Sequence, residues 1–398
     1  MFHLIPGMIG LYVVWRFVWP LPLGATGKTV LAVLMLLTAG HRLVIRNLFG
    51  TIASPEIPTV VIIILGWAFG TLILLATFLL IKDLAGLLSY PLSRRVGQTL
   101  LGAPKLLYGI GLGATVLAGV GVWQAIRVPD VKTIEIVLPR LPQELDGLRV
   151  VQLTDLHASK LLQAPWIAAV VAKANALNPD LIVLTGDLVD GTPQARAADV
   201  QPLRDLAARY GVHAIPGNHE YYADYLSWLS AFEQLGIPLL LNEHVTITHN
   251  GRKLVLAGIT DRTAAAFGQA RPDVTAALKD ISTTDPVILL SHRPTDAAIN
   301  ASAGVDLQLS GHTHGGQILG FHMLVKRFNE GFVSGLYQVN NMRLYVSNGA
   351  GLWNGFPIRL GRPAEITQIV LRSGKAGATV PAPRASTTHQ PAAFTTGA

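Results

Sequence analysis

Cysteine does not occur anywhere in this 398-residue chain. Disulfide bridges, thiolate metal sites and cysteine nucleophiles are therefore excluded together. Charge is scarce as well. Asp, Glu, Lys and Arg make up 14% of the residues, against roughly 25% in ordinary soluble domains, while 50% are hydrophobic and mean hydropathy is +0.42. Acidic residues are almost missing from the first third: residues 1–126 hold 8 Lys and Arg against 2 Asp and Glu, and the remainder holds 23 against 22. The net charge of +7 thus belongs to the apolar part, and the near-neutral remainder argues against a nucleic-acid-binding surface. No repeat of fixed period and no G-x-S-x-G nucleophile elbow is present.

What the chain does have is long apolar runs. Residues 57–81 ("IPTVVIIILGWAFGTLILLATFLLI") and 106–125 ("LLYGIGLGATVLAGVGVWQA") carry no charge, and each is long enough to cross about 30 Å of hydrocarbon. Residues 4–22 and 26–45 are apolar apart from Arg16 and from Lys28 and Arg42. Residues 1–126 are accordingly expected to form a transmembrane anchor of four helices. The loop holding Lys82, Arg94, Arg95 and Lys105 is more basic than the one holding Arg42 and Arg46. By the positive-inside rule it is cytoplasmic, which sends the chain after residue 125 to the opposite face. "SRRVGQ" (93–98) has the paired arginines of a twin-arginine export signal but has Gly97 where a large apolar residue usually follows.

The pattern changes after residue 126. Residues 127–147 read as a linker. Eight short apolar or β-branched runs follow: "LRVVQLTD", "DLIVLTGD", "VHAIPGN", "KLVLAGITD", "PVILLSH", "DLQLSGH", "RLYVSNG" and "AEITQIVL". Helical stretches such as "APWIAAVVAKANAL" and "YYADYLSWLSAFEQLG" separate several of them, which predicts an α/β layered domain over residues 148–372. Residues 373–398 are rich in Ala, Pro, Thr and Gly and read as a disordered tail.

Five of the runs end in metal-ligating side chains: Asp155 and His157, then Asp187 and Asp190, then Asn218, His219 and Glu220, then His292, and last His312 and His314. Strand ends in α/β sheets meet at one rim, so these groups are expected together. Carboxylates, an amide and imidazoles without sulfur suit two divalent metal ions such as Mn, Fe or Zn. The donors outnumber what one ion can use. Glycines at 186, 217, 311, 315 and 316 leave room for close backbone approach.

The ordered set "DLH", "GDLVD", "GNHE", "SHRP" and "GHTHGGQ" resembles the calcineurin-like metallophosphoesterases over residues 148–372, and the apolar N-terminal part resembles their membrane-anchored bacterial branch. The resemblance implies a double β-sandwich flanked by helices. It also implies that Asp155, His157 and His314 hold one metal, that Asn218, His292 and His312 hold the other, and that Asp187 bridges. His219 would be the catalytic proton donor, Asp190 would orient the site, and Glu220 would have no catalytic role. The implied activity is hydrolysis of a phosphodiester, pyrophosphate or phosphomonoester by water activated between the metals. The anchor makes a lipid-linked substrate attractive beside small-molecule phosphoesters, places the chain in a bacterial cell membrane with its catalytic domain outside the cytoplasm, and leaves oligomeric state open. A membrane scaffold or transporter-like protein with a metal-binding, non-catalytic soluble domain is the alternative. Asp261 and Arg262 read as structural, Arg293 as either a phosphate contact or a solvated side chain, and His213 and His244 as outside the site. Residues 352–363, with Trp353 and Phe356, read as a loop at the site entrance.

Overall fold

The computed structural model describes residues 4–51 and 54–374; most of the tail expected from residue 373 lies outside the described residues. Five helices form the N-terminal part: α1 (Leu4–Val13, continued by a π-helical turn Val14–Val18), α2 (Ala25–Phe49), α3 (Thr59–Ser89), α4 (Arg94–Gly102) and α5 (Pro104–Ile126). Of these, α2, α3 and α5 are long and apolar enough to cross a membrane. The segment Leu4–Val18 is apolar but shorter, spanning about 22 Å at 1.5 Å per residue. Three long helices and a shorter one therefore stand where four spans were expected. The interruption at Arg16 is matched by Asp83 of α3, which accepts two hydrogen bonds from the guanidinium at 2.7 Å and others from Tyr12 and Lys82. The "SRRVGQ" segment folds as α4, its first turn capped by the Ser93 hydroxyl accepting from Val96 N.

Eleven strands follow: β1 (Asp130–Leu138), β2 (Arg149–Leu153), β3 (Leu181–Thr185), β4 (Val212–Ile215), β5 (Glu243–His249), β6 (Arg252–Gly258), β7 (Val287–Leu290), β8 (Leu307–Ser310), β9 (Gly335–Val339), β10 (Met342–Val346) and β11 (Glu365–Ser373). They form a five-stranded sheet ordered β1-β11-β2-β3-β4 and a six-stranded sheet ordered β5-β6-β7-β8-β10-β9. Alternation along each strand assigns the two faces. Leu181 and Val183 of β3 pack with Leu254, Ile288 and Leu307 between the sheets, whereas Ile182 and Leu184 pack outward on the helix Ala164–Asn175 through Ile167 and Val170. The result is a two-sheet sandwich covered by helices.

Residues 127–147, expected as a linker, instead contain β1, which pairs in parallel with β11 along its whole length and so joins the anchor to the sandwich through its last strand. The helix expected over residues 221–236 is broken into His219–Tyr222 and Tyr225–Gln234, because Asp224 adopts a left-handed backbone.

The strands' carboxyl ends face the anchor. Thr59 Oγ1 donates to Lys160 O at 2.7 Å, and Arg359 N donates to Gly121 O at 2.9 Å. Ile358 fills a notch made by Gly70, Gly121 and Ala118. A Cβ at Gly121 would stand 2.4 Å from Ile358 Cγ1, and one at Gly66 would stand 2.6 Å from Pro357 Cγ, so both glycines are required by the packing.

Candidate metal centre

Asp155, Asp187, His292 and His312 each lie two residues beyond the ends of β2, β3, β7 and β8, and Asn218 lies three beyond β4. This shared offset lets five separate strands deliver side chains to one point. Asp155, His157, Asp187, His312 and His314 all have positive φ, between 47° and 68°. Non-glycine residues adopt that region at a cost, and clusters of them mark sites whose geometry is imposed by the surrounding fold. The neighbouring glycines make room: a Cβ at Gly217 would lie 2.2 Å from Asp187 Oδ1, and one at Gly311 would lie 2.3 Å from Asp155 Oδ2.

Three overlapping ligand groups emerge. His157, Asp187 and His219 have donor atoms within 4.8 Å of one another, and flanking them so do Asp155, His157 and His314 and, on the other side, Asp187, His292 and His312. Asp187 stands between the two flanking groups, its Oδ2 lying 3.7 Å from His157 Nε2 and 3.2 Å from His292 Nε2. His157 Nε2, His292 Nε2 and His314 Nδ1 are buried and make no hydrogen bond among the described residues. Buried ring nitrogens without a partner are costly unless something else satisfies them, and those of His157 and His292, which face the Asp187 carboxylate, fit a divalent cation.

The opposite ring nitrogens fix the tautomers. His292 Nδ1 meets Thr185 O at 2.8 Å, and a carbonyl only accepts, so this nitrogen carries a proton and Nε2 is the nitrogen left to face Asp187. Asp190 Oδ1 does the same for two rings at once, at 3.1 Å from His157 Nδ1 and 2.5 Å from His219 Nδ1. Burial keeps His312 and His314 well below the ordinary imidazole range, with the neighbouring His292 and His157 adding to the effect, so both are neutral near pH 7. Burial alone would raise the Asp187 carboxyl, but the surrounding imidazoles of His292, His219 and His157 hold it well below the carboxylate range.

The group of Asp187, His292 and His312 carries a complication that its residues alone did not show. Arg293 donates to His312 Nε2 at 2.8 Å and to Asn218 Oδ1 at 3.1 Å, while Asp261 Oδ2 accepts from its Nε at 2.8 Å. Arg293 is thus neither solvated nor remote, and Asp261 positions it. Asn218 faces this guanidinium rather than Asp187.

Several supporting residues carried no sequence signal of their role. Glu220 is buried and accepts from the backbone N–H groups of Gly217, Asp187, Leu188 and Val189 at 2.6–3.3 Å, clamping the Asp187 turn. Arg359, also buried, donates to the carbonyls of His314, Asn348 and Gly351. His213 and His244 bond to the backbone of Tyr210 and Ala277, away from the site. Trp353 and Tyr222 wall the site, with ring centroids 6.3 Å and 5.3 Å from that of His219. From α2, Arg42 stacks over Trp353 and donates to Gly355 O.

A family model described as calcineurin-like phosphoesterase matches residues 148–316. An uncharacterized metallophosphoesterase of Campylobacter jejuni is 35% identical over 253 residues, covering 63% of this chain and 65% of that protein. A Bos taurus transmembrane protein with metallophosphoesterase domain is 36% identical over 271 residues, covering 65% and 61%. An uncharacterized metallophosphoesterase of Bacillus subtilis is 33% identical over 243 residues, covering 58% and 82%. The chain thus spans less than two thirds of the first two relatives. Because the relatives include bacterial and vertebrate proteins, the likeness is not confined to a bacterial branch.

Proposed function

This chain belongs to the calcineurin-like phosphoesterase family, and from that premise we propose that it is a membrane-anchored, dinuclear metal-dependent hydrolase of phosphoric esters. The observation that carries the reading is Asp187 between two ligand groups, with His219 alongside. Asp155, His157 and His314 would hold one ion, and Asp187 would bridge to another held by His292, His312 and Asn218. Occupation of the second position requires Arg293 to release Asn218 and His312. When bound, such a pair of cations supplies an activated water and neutralises the phosphoryl oxygens.

The chain's own residues supply the rest. Asp190 accepts from Nδ1 of both His157 and His219, and the two rings then differ at Nε2. That of His157 faces Asp155 and Asp187 at 4.0 and 3.7 Å, as a ligand would. That of His219 lies at the edge of the cluster, where a protonated ring can donate to a departing alkoxide. Once it has released Asn218 and His312, the Arg293 guanidinium would be placed to meet a phosphoryl oxygen. The basic loop around α4 supports a cytoplasmic location for that loop and an extracytoplasmic catalytic domain. The anchor favours a lipid-linked diester or pyrophosphate over a free nucleotide.

The test is hydrolysis of bis-p-nitrophenyl phosphate against p-nitrophenyl phosphate by detergent-extracted full-length protein, after chelation and after return of Mn²⁺, Fe²⁺ or Zn²⁺. Metal-restored turnover, lost in His219→Ala and Asp187→Ala, is expected together with two ions bound per chain. One ion per chain would remove the dinuclear part. Bound metal with no turnover on any phosphoester would return the scaffold reading.

A further inference from the structure

The seven-residue helix His322–Phe328 begins eight residues after His314 and has no buried residue. Its apolar side chains point outward: Met323 is 70% exposed, Leu324 61% and Phe328 75%, and Leu319 just before it is 66% exposed. Lys326 and Arg327 occupy its last turn. In a soluble domain so many large apolar groups on two turns would be an unfavourable surface. Their position explains them.

Phe321, the residue before this helix, lines an apolar crevice of about 440 Å³ with Met8 and Tyr12 of α1 and Ile73, Thr77 and Leu80 of α3. Ile73 and Leu80 lie roughly 20–30 Å along α3 from its first residue at 1.5 Å per residue. Ile318 and Phe321 belong to the same apolar cluster as Phe69, Leu72, Leu75 and Leu79. Ile318 and Phe321 therefore lie against the side of the anchor. The anchor residues beside the same crevice are also exposed and apolar, Met8 at 61% and Leu80 at 52%.

We propose that residues 318–328 form a membrane-facing element of the catalytic domain that inserts its exposed apolar side chains into an anionic leaflet beside α1 and α3. The inference rests on the membrane-spanning part of the proposed function and not on catalysis. The contact of Ile318 and Phe321 with the spanning helices favours lipid as the occupant, and Lys326 and Arg327, exposed in the last turn, would meet lipid phosphates. The element is stiffly tied to the site. A Cβ on Gly316 would stand 2.3 Å from His322 Cα, and Leu319 N donates to Leu360 O at 2.9 Å. Lipid seating at one end thus fixes the loop that carries His312 and His314. The substrate class that follows is a phosphoester whose lipid tail stays in the leaflet while its phosphate meets the metals.

The absence of native cysteine makes a direct test available. Full-length protein carrying Met323→Cys or Phe328→Cys, labelled with an environment-sensitive fluorophore, is reconstituted into phosphatidylcholine–phosphatidylglycerol vesicles containing acyl-chain spin-label quenchers. Leu112→Cys, on the outward face of α5, reports whether the anchor spans. Thr283→Cys, at the opposite end of the sandwich, reports the aqueous baseline. Several-fold stronger quenching at 323 and 328 than at 283, reduced when Lys326 and Arg327 are both changed to Gln or when phosphatidylglycerol is omitted, is the expected result. Quenching at 112 with 323 and 328 at the aqueous baseline would overturn the proposal and leave the anchor intact. Dry but unquenched probes at 323 and 328 would indicate a protein partner and overturn it equally. No quenching at 112 would remove the spanning reading and the proposal with it.

Discussion

Replacing Asp190 by Asn separates the orienting role of this carboxylate from its volume. The side chain is buried, and its Oδ1 is shared by His157 Nδ1 at 3.1 Å and His219 Nδ1 at 2.5 Å. Asn keeps the shape and an acceptor oxygen but removes the charge. Hydrogen bonds to an ionised acceptor are worth about 1.5–3 kcal/mol and neutral ones roughly half that. Two weakened bonds therefore cost about 1.5–3 kcal/mol, or on the order of 10- to 100-fold in rate or metal affinity. The carboxylate also supports the His219 imidazolium. Burial alone would lower the His219 pKa, but Asp187 and Asp190 raise it to about 9. Asp190→Asn should therefore reduce kcat/KM for bis-p-nitrophenyl phosphate, weaken metal binding through His157, and move the alkaline limb of the rate profile to lower pH. In a His219→Ala background only the metal-affinity part of the loss should persist. Full-length protein assayed across a metal titration at several pH values measures all of these. Activity within about twofold of the parent at every metal concentration, with an unmoved pH profile, would refute the shared-carboxylate argument.

Glu220→Gln should lower stability by about 2–4 kcal/mol, because an amide turned toward four backbone N–H groups leaves donors facing donors; an unchanged thermal midpoint would contradict the clamp. Gly217→Ala should cost both metal binding and stability, since its Cβ would strike Asp187 Oδ1 at 2.2 Å and Asp187 N at 2.5 Å; isothermal titration calorimetry and a thermal melt against the parent decide. In chelated protein, burial would lower the His219 and His292 pKa values, but the Asp187 carboxylate raises them to about 9 and about 10. Their contribution to stability is complete below about pH 6.5, the unfolded value, and is lost as pH climbs through 9 to 10. His312 and His314 are depressed instead, so the unfolded chain gains protons first as pH falls below about 6.5. Differential scanning fluorimetry of the chelated protein should find its highest midpoint near pH 6.5, and a midpoint that rises toward pH 9 would reverse the sign.

Eight strands were legible because each is a continuous apolar run buried within a sheet or bearing a motif at its end. The three missed ones, β1, β5 and β9, are all edge strands. Their half-exposed patterns break the apolar run, and the pairing partner of β1 lies more than 230 residues away, so no local signal existed. The metal-site candidates could be read because each sits a fixed short step past its strand. Arg293 and Asn218 could not be resolved this way, since their mutual contact depends on how two strands from different sheets lie across the sandwich. The outward-facing side chains of residues 319–328 were likewise invisible until the anchor stood beside them.

The glycine notch that receives Ile358 ties two events that are usually independent. The loop it anchors carries Trp353 at its other end, near His219 and under Arg42 of α2. Helices accommodate a bilayer thicker or thinner than their apolar length by tilting. Any tilt of α3 against α5 opens or pinches the notch between Gly70 and Gly121, and Ile358 moves with it. In a bilayer, lipid chain length would thereby become a mechanical input to the site, with the loop as the lever arm.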